Sequence, residues 1–197
     1  MTLPVITVIK PSDLVNQKNG ELATCSLTSV YFAGAGHASL HPLAARAWNA
    51  FAVSCFNATG KKLSVTSVAD AYRSLAQQTE VFLQRYVKGY NPLICTLDDQ
   101  RVWNGVRYYK RRGVAPVAVP ATSNHGWGLA VDAAIFSSST NTRVGITSNS
   151  QVWAWVQANA VKFGFSWELQ SEPWHLRYYA GDKVPTAVLN FEKILNL

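Results

Sequence analysis

Apolar and polar positions change their rhythm several times along the chain, and each change marks an element. "HPLAARAWNAFAVSCFNATG" (41–60) predicts a helix, with Pro42 in the first turn and Asn57 to Gly60 ending it. "KLSVTSV" (62–68) alternates polar and apolar residues and predicts a strand. "SLAQQTEVFLQRYVKG" (74–89) predicts a second helix, opened by a Ser74/Gln77 capping box and stopped at Gly89. "RVWNGVRYY" (101–109) predicts a hairpin, because Asn104-Gly105 suits a type I′ turn. "SQVWAWVQANAVKFG" (150–164) predicts a third helix, and "PWHLRYY" (173–179) alternates again as a strand. Strands and helices mix without a regular βαβ rhythm, which points to an α+β fold. Residues 1–39 begin with a short strand-like run, Val5 to Ile9, and are expected to form an extension packed on a main domain at 40–182; 183–197 is expected to be a C-terminal helix.

One strand breaks its own pattern. In "SNHGWGLAVD" and the residues after it, Leu129, Val131, Ala133 and Ile135 share an apolar face. Gly128, Ala130, Asp132 and Ala134 share the other, which is bare except for the carboxylate. A lone buried carboxylate is costly, so Asp132 needs a partner, and a cation is the simplest. His125 lies just before the strand, and Gly126 and Gly128 allow the backbone to turn its ring toward the same space. Alone, the pair reads first as a turn histidine and an aspartate bound to an arginine. "SEPWHLRYY" adds a second cluster, with Glu172 held out of the helical region by Pro173 and His175 on the strand face opposite Trp174, Leu176 and Tyr178, which look like core. Two imidazoles and a carboxylate with an open fourth position make a catalytic zinc site, and a further carboxylate can serve as the base.

Composition changes the picture only at the margins. The chain has 197 residues, 48% of them apolar, enough for one domain with a core or one domain plus an extension. No run is long enough to span a membrane. "MTLPVITVIKP" has no basic residue before its short apolar stretch and no small-residue cleavage site, so it is not expected to be a signal peptide. Cys25, Cys55 and Cys95 are far apart and odd in number, which suits ordinary thiols better than a disulfide framework or a CxxC metal site. The net charge of +7 favours a polyanionic partner or a solubilising surface. No nucleic-acid motif accompanies it.

Taken together, "SNHGWGLAVD" and "EPWH" resemble the zinc D-alanyl-D-alanine carboxypeptidases of the VanY type within the LAS-family metallopeptidases, and the phage endolysin peptidases related to them. The family pattern, Ser-x-His-x6-Asp and later Glu-x-x-His, is matched in order and spacing. "YRSLAQQ" (72–78) looks like the family's Tyr-Arg-Ser segment, and the resemblance covers roughly residues 40–182. "IKPSDLVNQKNGEL" and "HPLAARAW" also look like lysins of phages that infect actinobacteria. The resemblance implies a small antiparallel sheet with flanking helices, hedgehog/D-Ala-D-Ala-peptidase-like. It implies that His125, Asp132 and His175 bind Zn2+, that Glu172 takes a proton from the attacking water and passes it to the leaving amine, and that Arg73 meets substrate carboxylate or oxyanion. Ser123 matches the family serine and is expected at substrate, and Trp127 is expected to line the cleft. Ser74 and Gln77 are already explained by the capping box. His37 and His41 lie outside both motifs and are given no metal role.

The expected function is therefore a zinc metallopeptidase, a carboxypeptidase or an L-Ala–D-Glu-type endopeptidase, cleaving peptidoglycan stem peptides. The expected setting is a phage endolysin, held in the host cytoplasm before lysis and then acting on the bacterial cell wall. The expected partners are stem peptides, with no nucleic acid, no membrane insertion and a monomeric state. The alternative is a non-catalytic wall-binding module that keeps the zinc fold, and Glu172 beside intact ligands argues against it.

Overall fold

The computed structural model of the protein describes residues 2–32 and 36–195. In chain order the described elements are β1 (Thr28–Phe32), β2 (Gly36–Leu40), α1 (Pro42–Thr59), β3 (Lys62–Val65), α2 (Leu75–Arg85), β4 (Tyr86–Lys88), β5 (Cys95–Trp103), β6 (Val106–Arg111), β7 (Ala130–Ser137), β8 (Thr142–Gly145), α3 (Trp153–Asn159), β9 (Phe165–Trp167), β10 (His175–Tyr178) and α4 (Thr186–Leu195). All the strand pairs within the sheets are antiparallel, and the class is α+β. The hub is β7. Its second half pairs with both β3 and β8, its first half pairs with β10, and β10 pairs in turn with β9.

The alternation in β7 fixes its two faces. Leu129, Val131 and Ala133 are buried in the core with Leu63, Val65, Leu176 and Tyr178. Trp48 and Phe51 of α1 close over this layer, with Phe165 5.8 Å and Phe163 5.5 Å from the Phe51 ring. Burial of each such side chain stabilises the fold by roughly 1.5–3 kcal/mol. Helix α1 runs where expected and ends at Gly60 in the left-handed region, φ 69°. Its N-cap, His41, accepts from the Leu43 amide through Nδ1 and pairs with Asp13 through Nε2 at 3.0 Å, a structural occupation consistent with no metal role. Leu3, Leu14, Leu22 and Val30, from the first 39 residues, belong to the same core.

The other described strands form two further sheets, the β1-β2 pair and a three-stranded sheet in the order β4-β6-β5. The Asn104-Gly105 turn that joins β5 to β6 has φ of 48° and 74°, as a type I′ hairpin requires. Phe82 of α2 stacks on Tyr86 at 4.9 Å and meets Trp103 and Tyr108 edge-on. Free thiols occupy all three cysteine positions, Cys25 exposed and Cys55 and Cys95 buried. Among the described residues, no helix is long and apolar enough to cross a membrane.

Three expectations fail in detail. Val5 to Ile9 is not a strand, because it forms only the isolated bridges Val5–Trp167 and Ile9–Ala180 and no continuous ladder. The strand at Lys62 stops at Val65, because a 3-10 turn over Val68–Asp70, with Ser67 donating to Asp70 at 2.7 Å, redirects the chain. Helix α2 keeps its capping box but ends at Arg85, not Gly89, because Tyr86 leaves the helix to pair with Lys110 of β6.

Candidate metal centre

His125 sits in a 3-10 turn, Asn124–Trp127, just ahead of β7. Ser123 caps this turn by accepting from the His125 amide at 3.2 Å. Gly128 ends it at φ 63°, where any Cβ would lie 2.6 Å from the His41 amide nitrogen. A side chain at Gly126 would collide with Asn19, whose amide donates to the Ser123 carbonyl at 2.7 Å. The His125 Nδ1 lies 2.9 Å from the Ala71 carbonyl oxygen. A carbonyl only accepts, so Nδ1 carries the proton and Nε2 presents its lone pair. That Nε2 lies 3.6 Å from Asp132 Oδ1.

Asp132 and His175 face each other directly across the β7–β10 ladder. Their Oδ1 and Nδ1 are 2.8 Å apart. The two imidazole rings are 5.0 Å apart, and the ligand atoms of His125, Asp132 and His175 all lie within 4.8 Å of one another. Bonds of about 2.0–2.1 Å in a tetrahedron give ligand–ligand edges of about 3.3–3.4 Å. The observed 2.8 and 3.6 Å straddle that edge, and two neutral-capable imidazoles with one carboxylate are a donor set suited to zinc. The residues therefore fit the metal.

The electrostatics agree. Burial works to raise the Asp132 pKa, but His125 and His175 outweigh it and hold the carboxyl well below the usual carboxylate range. Burial works against protonation of His175, yet Asp132 and Glu168 push its imidazole up to about 9. The pocket between the three donors thus holds a positive charge strongly, and a metal cation competes with that proton for the same place.

The three donors open onto a cleft of about 540 Å³, lined also by Arg73, Ser123, Glu168, Glu172 and Trp174. Glu172 is half-buried, and burial lifts its pKa, with Asp132 and Glu168 adding to the rise against His175 and Arg85. Arg73 is buried at 7% exposure, donating to the Ala69 carbonyl, Gln78 Oε1 and Asp70 Oδ1 at 3.0–3.1 Å. It is no surface charge, and its guanidinium is oriented by the protein before any substrate arrives. Two expectations need correction. Trp127 is not among the residues lining the cleft: its ring lies under Lys10 Nζ at 4.6 Å and against the core. Trp174 lines the cleft instead of the core, its carbonyl accepting from the Ala133 amide at 2.8 Å.

Sequence reasoning missed Glu168. Glu172 is not the one acidic residue left beside the ligands, since Glu168 Oε2 lies 3.4 Å from His175 Nε2. The only signal was a carboxylate directly after the aromatic strand "FSW", which looks the same as a solvated strand end. Gln78, which orients Arg73 and donates to the Ala118 carbonyl at 2.7 Å, was hidden inside the helix pattern.

The family model described as VanY, D-alanyl-D-alanine carboxypeptidase, matches residues 37–181. No curated protein matches the chain. Among solved structures, the chain is similar to VanYB in complex with D-alanine-D-alanine, at 21% identity and TM-score 0.48, over 97% of this chain and 96% of that one. It is similar to the vancomycin-resistance D,D-dipeptidase VanXYg in complex with a D-Ala-D-Ala phosphinate analog, at 20% identity and TM-score 0.48, over 81% of this chain and 56% of that one. It is also similar to a mutant of the vancomycin-resistance D,D-pentapeptidase VanY from a VanB-type cassette in complex with Zn(II), at 20% identity and TM-score 0.48, over 89% and 88%.

Proposed function

Since the chain belongs to the VanY family of D-alanyl-D-alanine carboxypeptidases, we propose that it is a zinc-dependent peptidase that cleaves peptidoglycan stem peptides. The observation that carries the reading is the convergence of His125, Asp132 and His175 on one point of a cleft that also holds the half-buried Glu172. His125 through Nε2, Asp132 through Oδ1 and His175 through Nδ1 would hold the metal. Zinc bound there supplies Lewis acidity, which polarises a scissile carbonyl and brings the pKa of water from about 15.7 down to about 7. Glu172 is the base of this site: its carboxylate takes the proton of the attacking water and delivers it to the leaving amine. Its raised pKa suits that double duty, because the proton is accepted readily and still released. Arg73, fixed by Asp70 and Gln78, directs its remaining donors to a substrate carboxylate or to the developing oxyanion. Ser123 lines the same cleft, with its hydroxyl engaged in the turn that carries His125.

The bond we assign is the terminal D-Ala–D-Ala bond, in keeping with the family. The setting we assign is phage lysis, with the protein held in the host cytoplasm until it reaches the wall. That setting is supported by the resemblance of "IKPSDLVNQKNGEL" and "HPLAARAW" to phage lysins, and by a net charge of +7 facing an acidic wall. The test is mass spectrometry of stem peptides after digestion of purified peptidoglycan, with and without a zinc chelator. Loss of one D-Ala, abolished by chelation and restored by zinc, is the expected result. Release at L-Ala–D-Glu reassigns the bond. Intact stems of every type in the presence of bound zinc would leave a wall-binding module as the better account.

A further inference from the structure

A histidine that gives one ring nitrogen to a metal must satisfy the other, and the partner chosen for it fixes the ring's tautomer and orientation. His125 meets this need with the Ala71 carbonyl. His175 meets it with a carboxylate. Its Nδ1 lies 2.8 Å from Asp132 Oδ1, while its Nε2 lies 3.4 Å from Glu168 Oε2. Glu168 is itself anchored, by Arg177 at 3.8 Å and by the side chain of Asn124, which belongs to the turn carrying His125. Arg177 is held in turn by the carbonyls of Ile6 and Trp167. Glu172 is the contrast. Among the described residues its carboxylate makes no hydrogen bond or ion pair, so one glutamate of the cleft is committed and the other is free.

We infer that Glu168 is a positioning residue for the metal: it holds the His175 ring so that Nδ1, and not Nε2, faces His125 and Asp132. This role rests on the zinc reading of the site. Glu168 acts through His175 and takes no part in proton transfer, which stays with Glu172. Because Glu168 touches both Asn124 and His175, it also ties together the two chain segments that carry the imidazoles.

The experiment measures zinc Kd by chelator competition, together with the Tm of the zinc-stripped proteins and kcat and KM at saturating zinc. Wild type is compared with Glu168→Ala and Glu168→Gln. Loss of such a partner typically weakens metal binding about 10–100-fold, and that loss is expected for Glu168→Ala. Glu168→Gln keeps an acceptor at the same place and is expected to bind zinc between the other two. KM is expected to stay near wild type, because substrate meets other residues. Should Glu168→Ala not fold, the glutamine variant is read alone, and a several-fold weaker Kd is still expected. A zinc Kd within about twofold of wild type in the folded variants overturns the inference. So does unchanged zinc affinity with hydrolysis lost, which would make Glu168 part of the chemistry. A wild-type protein that holds no zinc is a different failure, and removes the zinc reading itself.

Discussion

The Asp132–His175 pair makes a measurable claim about stability, separate from any activity. In the folded protein, Asp132 and Glu168 hold the His175 imidazole at about 9, against an ordinary 6.5. Each tenfold change in proton affinity is worth about 1.36 kcal/mol, so protonation of His175 stabilises the zinc-stripped fold by about 3 kcal/mol. His175 is side-chain buried at 11% exposure, so solvent screens little of this. The folded value lies above the unfolded one. The stabilisation is therefore complete below pH 6.5, declines as the pH rises, and is gone above about 9. Asp132→Asn keeps the shape and a hydrogen-bonding oxygen but removes the main counter-charge. The assay is urea unfolding in excess chelator at pH 6, 7.5 and 9.5. With a slope near 2 kcal/mol per molar, the wild-type midpoint should fall by about 1.5 M across that range, and the variant's by less than half as much. Zinc should raise the wild-type midpoint and leave the variant's in place. A variant with the wild-type pH dependence would refute the coupling, and with it the argument that the pocket is built to hold a cation.

Three other outcomes are expected. Glu172→Gln should fold and bind zinc as wild type does while hydrolysis falls at least about a hundredfold; equal turnover would remove Glu172 from the mechanism. Arg73→Lys should lose most of kcat/KM and, because a lysine cannot reach Ala69, Asp70 and Gln78 together, also about 1–3 kcal/mol of stability by urea unfolding; near-wild-type values of both would show that the fork is idle. Gly128→Ala, which places a Cβ 2.6 Å from the His41 amide at φ 63°, should lower the Tm by several degrees and weaken zinc binding through the His125 turn; an unchanged Tm would mean the turn yields without cost.

What the sequence made legible follows from how local each signal is. The capping box of α2, the Asn104-Gly105 turn and the Gly60 stop depend on neighbours within a few residues, and each stands where the pattern puts it. The alternation about Asp132 was equally local, and it isolated a carboxylate on a bare strand face before any partner was known. Apart from the local turn at Ser67–Asp70 that ends β3, the misses were long-range. Tyr86 leaves the helix for a partner 24 positions away, Lys110, which no window over residues 74–89 contains. Trp127 was expected at the cleft, but Lys10 claims its ring from the far N-terminal segment. Glu168 owes its role to the opposite strand and to Asn124, so nothing in "SWELQ" sets it apart from a solvated acid. The zinc motif was legible because four spaced residues constrain one another; a single carboxylate beside them was not.

The two ends of the chain also set the order in which the centre can be assembled. Leu3 and Gln170 exchange two hydrogen bonds, at 2.7 and 2.9 Å, and Val5 and Ile9 bridge to Trp167 and Ala180 on either side of the strand that carries His175. His125 and Asp132 are translated 50 and 43 residues before His175, yet the pair alone offers two donors and an open strand edge. A ribosome-bound chain cut between residues 132 and 175 therefore carries two donors of the three, and the third arrives between Gln170 and Ala180, residues to which the N-terminal segment docks. Contacts of such sequence separation fold slowly, because loop closure comes before any return from packing. Synthesis thus sets an order: a chain stopped short of residue 175 lacks one of the three donors of the site, whatever else of the fold has formed.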